Sequence, residues 1–234
     1  TGAGRSLLQQ TFDRLAEFLP AASILVVTGE AHGAAVAAQL PSLEASRLLL
    51  EPSPKDSTAA IALAAAVLVR ENANAVIGSF AADHLIGDQV AFAKAVAEAA
   101  TVAETGLLVT IGITPTHAST AFGYIQAGLA LAGFETARAV TAFVEKPDAK
   151  RASEFLATGE YFWNAGMFVV RASVLLDLLR ETEPELVQTV VKLAEVWHTD
   201  ARADALTELW PALHKVAIDY SVAEPAAARG LVAV

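Results

Sequence analysis

The sequence predicts an α/β fold with a mostly parallel central sheet flanked by helices. Two observations predict it. Short apolar runs alternate with Ala- and Leu-rich stretches of helical spacing for most of the chain, which is the pattern of βα units. Pro, Gly and short polar clusters punctuate nearly every junction, as turns require.

The elements follow in order. Ser6 caps a helix in which Leu7, Leu8, Phe12, Leu15 and Phe18 keep helical spacing, and Pro20 ends it. Residues 24–27 form a short buried strand closed by Thr28 and Gly29, and a helix over 34–40 stops at Pro41. Residues 47–50 are a strand leading into the turn 51–58. There Asp56 and Ser57 are cap candidates for an Ala-rich helix running to about Arg70. A strand over 75–80, a helix over 92–103 and a strand over 107–113 come next. Residues 120–125 read as a bulged strand, and 140–144 as a strand that Pro147 stops. A helix over 149–156 ends at Gly159; Asn164-Ala-Gly-Met167 reads as a turn, and 168–170 as a short strand. Residues 172–213 hold helices and few strands, so they read as a lid-like subregion. Residues 231–234 read as a strand.

Composition removes several function classes. The chain has 234 residues, 54% hydrophobic and 18% charged, enough for one large core. No apolar run reaches the roughly 18 residues that span a bilayer, and no leader pattern is read at Thr1. No membrane partner is expected. Zero cysteines exclude disulfides, zinc-thiolate sites and thiol nucleophiles, and suit a cytoplasmic location. A net charge of −10 argues against a nucleic-acid groove. It leaves room for a nucleotide, which one Lys, helix N-termini and a divalent cation can hold.

Four clusters carry candidate chemistry. Glu145 and Lys146 sit where a strand ends, the place open α/β sheets offer to ligands. A carboxylate there can accept from sugar hydroxyls, and an ammonium can meet a phosphate. The plain alternative is a surface ion pair. The helix start after Glu51 and Pro52, at Asp56 and Ser57, offers free backbone N–H groups to a polar ligand edge; the alternative is an ordinary capped helix. Asp83 lies just past a strand end, where Mg²⁺ would use a carboxylate; it could equally cap a turn. Gly123 beside Tyr124 permits close approach to a ring-shaped ligand. Two Gly-rich stretches carry no phosphate loop. Thr1-Gly-Ala-Gly-Arg5 has no strand before it, and Gly29-Glu-Ala-His-Gly33 lacks the dinucleotide spacing.

The order of motifs adds a family. EPSPKDSTAAI, AADHLI, FGYIQ, FVEKP, FWNAGMF and IDYSVAE follow one another. This series resembles the bacterial mannose-1-phosphate guanylyltransferases of the sugar nucleotidyltransferase superfamily, from about Ser6 to Val234. The resemblance implies a Rossmann-like nucleotidyltransferase fold. It also implies transfer of GMP from GTP to mannose 1-phosphate, giving GDP-mannose and pyrophosphate with Mg²⁺. Glu51, Pro52, Asp56 and Ser57 would border the guanine. Asp83 would hold Mg²⁺ and Lys146 the sugar phosphate, both as catalytic residues. Gly123, Tyr124, Glu145, Asn164 and Gly166 would contact the sugar. Asp219 and Tyr220 would lie near the site. A second copy of the chain is an optional partner. The family's opening strand with its Gly-rich loop, and a later W-x-D metal motif, find no match here. Residues 1–234 are therefore expected to be one nucleotidyltransferase domain without those two parts. Lys55 stands where the family usually has Arg, and Ala81 where it usually has Pro. The rival expectations are a nucleotidyltransferase for another base or hexose, and a non-catalytic nucleotide-sugar binder.

Overall fold

The computed structural model describes residues 4–234. The start of the Gly-rich stretch, Thr1 to Ala3, lies outside them. Ser6 caps helix α1 (Leu7–Ala16) through a capping box with Gln9, so two free backbone donors are satisfied reciprocally. Strand β1 (Val26–Gly29), helix α2 (Glu30–Gln39) and strand β2 (Leu48–Glu51) make a βαβ unit with β1 and β2 parallel. Helix α3 (Asp56–Glu71) follows the turn after β2, and strand β3 (Val76–Ser79) follows α3. Asp88 caps helix α4 (Gln89–Ala103), which leads to strand β4 (Leu108–Ile113).

The sheet departs from the expected parallel arrangement. Strands β5 (Tyr124–Ala130), β6 (Arg138–Val144) and β7 (Tyr161–Arg171), and the short C-terminal β8 (Val232–Ala233), join β3 and β4 in the order β3-β7-β4-β8-β6-β5. Strand β5 also pairs back with β7, so part of the sheet closes into a ring. Within this sheet β4–β8 is parallel and the other pairings are antiparallel. The reason is local. No helix separates β4 from β5 or β5 from β6, and a parallel pairing needs a long crossover whereas an antiparallel one does not. The fold is α/β with a mixed, partly barrel-like sheet.

Two further expectations change. Asn164-Ala-Gly-Met167 is not a turn between elements but part of β7, eleven residues long. Pairing with β4 shifts there, from Thr110↔Phe168 to Gly112↔Asn164, so β7 carries a bulge with Gly166 at φ 65°. The segment 172–213 is not a lid. Helices α6 (Ala172–Thr182) and α7 (Pro184–Val196) bury Leu175, Leu179, Leu186, Val190 and Leu193 against α3, and α8 (Arg202–Leu209) and Trp210 after it join the same core. The matching face of α3 is Ala59, Ala62, Leu63 and Ala66, whose small side chains let helices approach closely.

The two-stranded and six-stranded sheets share no pairing among the described residues. Between β1 and β3 runs a cleft of about 860 Å³. It is lined by apolar Val27, Ile61, Ala64 and Ile77 and by polar groups that include Arg47, Glu71, Asn74, Ser57 and Asp219, with Gly166. No helix among the described residues is long and apolar enough to cross a membrane.

Trp210 is fully buried, and its Nε1–H donates to the Ser53 carbonyl at 2.7 Å. The Trp210→Ala variant should lose about 3–5 kcal/mol of stability through the cavity it leaves. Trp210→Phe should lose less, because most of the bulk stays. Denaturant midpoints of the two variants measure the difference.

Candidate functional site

Sheet register creates the site. Tyr124 of β5 pairs with Val144 of β6 and with Trp163 of β7. The next positions outward on the three strands are Gly123, Glu145 and Asn164, which therefore lie side by side. The Asn164 N–H donates to the Gly123 carbonyl at 2.8 Å, closing the row. A Cβ on Gly123 would overlap Glu145 Oε2 and reach 3.2 Å from Asn164 Cβ. The missing side chain at Gly123 thus makes room for the Glu145 carboxylate.

Glu145 and Lys146 are paired, with Nζ to Oε1 at 3.2 Å. Their exposures differ: the Glu145 side chain is 9% exposed and that of Lys146 58%. The carboxylate is largely desolvated while the ammonium stays open to a second anion. Burial pushes the Glu145 carboxyl up, against the Lys146 hydrogen bond and with help from nearby Asp219. The same hydrogen bond raises the Lys146 ammonium, keeping it charged. Glu145 Oε2 is buried with no hydrogen-bond partner, so one strong acceptor is left unused. Lys146 holds φ at 45°, uncommon outside glycine and frequent at sites whose surroundings impose it.

Asn164 is held on three sides. Its Oδ1 accepts from the Thr110 hydroxyl and from the Gly166 N–H, both at 3.0 Å. Its Nδ2 donates to Asp219 Oδ1 at 2.6 Å. Asp219 begins a π-helical turn, Asp219–Ala223, a form that recurs at functional positions. Burial raises its carboxyl and the Asn164 bond opposes this. Glu224 accepts from the Glu145 N–H at 3.2 Å.

Of the turn 51–58, Ser57 lines the cleft. Glu51 is buried, which raises its carboxyl, while Pro52 and Asp56 are exposed. Asp56 takes φ 67°, and its Oδ1 accepts from the Ser57 N–H at 2.8 Å. It opens α3 rather than preceding it, since the capping position is Lys55. Ser57 does not cap its own helix either: its Oγ accepts from the Ile218 N–H at 2.9 Å.

The remaining candidates divide. Gly166 lines the cleft with Asp219. Tyr220 is 49% exposed, next to Asp219. Asp83 is exposed, in the segment after β3. That segment leaves the sheet on the Gly166 side, because β3 runs antiparallel to β7 with Ser79 opposite Phe168. No group of three or more His, Asp or Glu side chains placed to hold a metal ion is found at Asp83 or elsewhere among the described residues. Tyr124 differs from expectation. It is fully buried, and its hydroxyl accepts from the Ser119 N–H. Its ring packs under the row.

Sequence reasoning missed Glu224, Thr110 and the Thr58–Ser221 hydroxyl pair at 2.8 Å. Glu224 stood inside the quoted IDYSVAE motif and could have been found there. Thr110 and Ser221 carry no local signal. Also missed was a small aromatic group beside the row, with His117 and Phe122 each packed 4.9 Å from the Trp163 ring.

Residues 1–211 match the family model described as nucleotidyl transferase. The chain is 39% identical over 226 residues to "Mannose-1-phosphate guanylyltransferase RfbM" of Salmonella typhimurium, covering 94% of this chain and 46% of that protein. It is 40% identical over 225 residues to "Xanthan biosynthesis protein XanB" of Xanthomonas campestris, covering 95% of this chain and 47% of that one. The chain thus spans about half the length of these curated relatives. Among solved structures it is similar to a mannose-1-phosphate geranyltransferase, so named, from Thermus thermophilus. That match has a TM-score of 0.84 and 31% identity, over 100% of this chain and 64% of the other.

The raised carboxyls set a pH dependence. Glu145 and Asp219 titrate higher in the folded protein than in the unfolded chain. In the window above their ordinary values, from about pH 4 upward, the folded state holds protons that the unfolded state has released. Their contribution is most favourable below that window and is lost as pH rises through it. Glu145→Gln should flatten the fall in melting temperature across this window. Parallel melting curves for variant and parent would contradict the assignment.

Proposed function

Because the chain belongs to the nucleotidyl transferase family, we propose that it carries the sugar-phosphate and base-reading parts of a mannose-1-phosphate guanylyltransferase. The reaction is transfer of GMP from GTP to mannose 1-phosphate. An oxygen of the sugar phosphate forms a bond to the α-phosphorus. The bond from that phosphorus to the bridging oxygen breaks, and pyrophosphate leaves with the electron pair. The protein supplies little covalent chemistry to such a step, so positioning and charge carry the rate.

The observation that carries this reading is the row Gly123–Glu145–Asn164 with Lys146 beside it. Glu145 offers an unused buried acceptor to a sugar hydroxyl. Asn164 keeps one amide hydrogen beyond the bond to Asp219. Lys146 places an exposed ammonium next to them, within reach of a phosphate on the sugar. The turn from Glu51 to Ser57 would border the guanine across the cleft. The names of the relatives point the same way.

Asp83 would hold Mg²⁺. A single exposed carboxylate is compatible with that ion, which prefers one or two carboxylates and would complete its shell with phosphate oxygens and water. When bound, Mg²⁺ would neutralise charge on the triphosphate. A cytoplasmic setting suits a chain with zero cysteines.

Pyrophosphate release by the full-length protein tests the reading, with GTP, ATP, dTTP and UTP each offered against mannose 1-phosphate and glucose 1-phosphate. GTP with mannose 1-phosphate should be the preferred pair. Preference for another pair, or binding without turnover, would overturn it. Lys146→Ala should lose roughly 10²–10³ in rate, the scale of removing a charge-stabilising donor; near-normal turnover would remove Lys146 from the phosphate. Gly123→Ala should lose about 10²-fold in kcat/KM by displacing the Glu145 carboxylate.

A further inference from the structure

We propose that Asp219 is a positioning residue: it fixes the Asn164 amide and ties the sugar-side row to the base-side turn. The inference rests on the sugar-phosphate reading of that row given above.

The Asn164 amide cannot turn over in its site. Its Oδ1 already faces two donors, the Thr110 hydroxyl and the Gly166 N–H, so the NH₂ group must point the other way. Asp219 Oδ1 takes one of its hydrogens at 2.6 Å. The other hydrogen is thereby aimed, and it is the one left for a ligand. Asp219 stands beside Glu145, and the like charges repel. A neutral acceptor would serve packing alone at lower cost. The carboxylate makes a stronger, shorter bond, and tight aim is what a reading amide needs.

Asp219 also belongs to a strap, residues 210–224, that joins the two halves of the site. On the base side, Trp210 Nε1 donates to the Ser53 carbonyl at 2.7 Å. Lys55 Nζ donates to the Pro211 and Leu213 carbonyls at 2.6 and 2.8 Å. The Ile218 N–H donates to Ser57 Oγ, and the Thr58 and Ser221 hydroxyls bond to each other. On the sugar side, Asp219 holds Asn164 and Glu224 accepts from the Glu145 N–H. The π-helical turn 219–223 contributes to both sets, Asp219 to the sugar side and Ser221 to the base side. Lys55 spends its ammonium on two strap carbonyls, so it anchors the strap.

A mutant cycle in the full-length protein tests the role. Asp219→Ala and Asp219→Asn are made with Asn164 intact and in an Asn164→Ala background. Each protein is melted to establish folding, then titrated calorimetrically with mannose 1-phosphate and with glucose 1-phosphate, and with GTP. With Asn164 present, Asp219→Ala should weaken binding of the preferred sugar phosphate about 10- to 100-fold, the scale of a hydrogen bond to a charged group. GTP affinity should move less than about 3-fold. Asp219→Asn keeps an acceptor oxygen without the charge and should recover part of the loss. In the Asn164→Ala background, Asp219→Ala should cost less than about 2-fold, since contacting residues that act as a unit do not add. Equal losses in both backgrounds, or no rescue by Asn, would overturn the proposal by giving Asp219 a role of its own. The parent's choice between the two sugar phosphates judges the functional reading separately, because the cycle is read on whichever one the parent prefers.

Discussion

The pairing of β7 with three neighbours constrains the rest of the molecule. Its N-terminal part lies between β4 and β5, and its C-terminal part between β4 and β3. The exchange of β5 for β3 happens where the strand bulges at Ala165, Gly166 and Met167. A strand cannot keep regular pairing while changing partner on one side, and a bulge is the inexpensive way to bend it. Gly166 at φ 65° supplies the backbone freedom. The same bend decides which residue of β7 meets Gly123 and Glu145. A slip by one residue would turn Asn164 to the opposite face and replace it with a residue pointing away. The register that closes the ring therefore also builds the row.

That row is electrostatically and conformationally costly. Glu145, Asp219 and Glu224 approach one another around a single nearby ammonium, Lys146. Lys146 and Asp56 both hold left-handed backbone angles, at a typical cost of about 1–3 kcal/mol each. Such strain persists only where packing over-determines it. Asp56 opens α3, which packs against α6 and α7, and β6, which ends just before Lys146, packs against the short helix at 224–228. The segment that composition suggested as a mobile lid is thus part of the support for the site. Under the proposed function rigidity there has a use, because phosphoryl transfer is accelerated chiefly by holding the partners in line.

What the sequence made legible was whatever is decided locally. Ser6 and Gly159 mark helix ends through their own capping chemistry, and both do so in the structure. The strand exits that carry Glu51, Asp83 and Glu145 were readable from apolar runs ending in polar residues. Elements decided by distant partners were not readable. Asn164-Ala-Gly-Met167 has the composition of a turn, and only the neighbours β4 and β5 make it a strand. The sheet's hand of pairing was misjudged because the βα alternation of the first hundred residues was extended across β4, β5 and β6, where it stops. Tyr124 looked like a ligand contact because it follows Gly123, but alternation along β5 turns its ring into the protein. The bonds between 53–58 and 210–221 span more than 150 residues of sequence and have no periodic signature.

The two halves of the site are built by different means, and this bears on how each can change. The row proposed to face the sugar is fixed by main-chain pairing of three strands, so its geometry is shared with the core and resists substitution. The turn proposed to face the base is fixed mainly by side chains reaching into the strap: Trp210, Lys55, Ser57 and Thr58. Lys55 and Ser57 are half-buried and lie outside the strands, so substitutions there can re-aim the turn with less effect on the sheet. Divergence in base preference within such a fold should therefore run through the turn and its strap. Divergence in sugar preference should run through the few side chains that stand on a fixed row. Asp219 is the exception that joins them, since it arises from the strap and acts on the row.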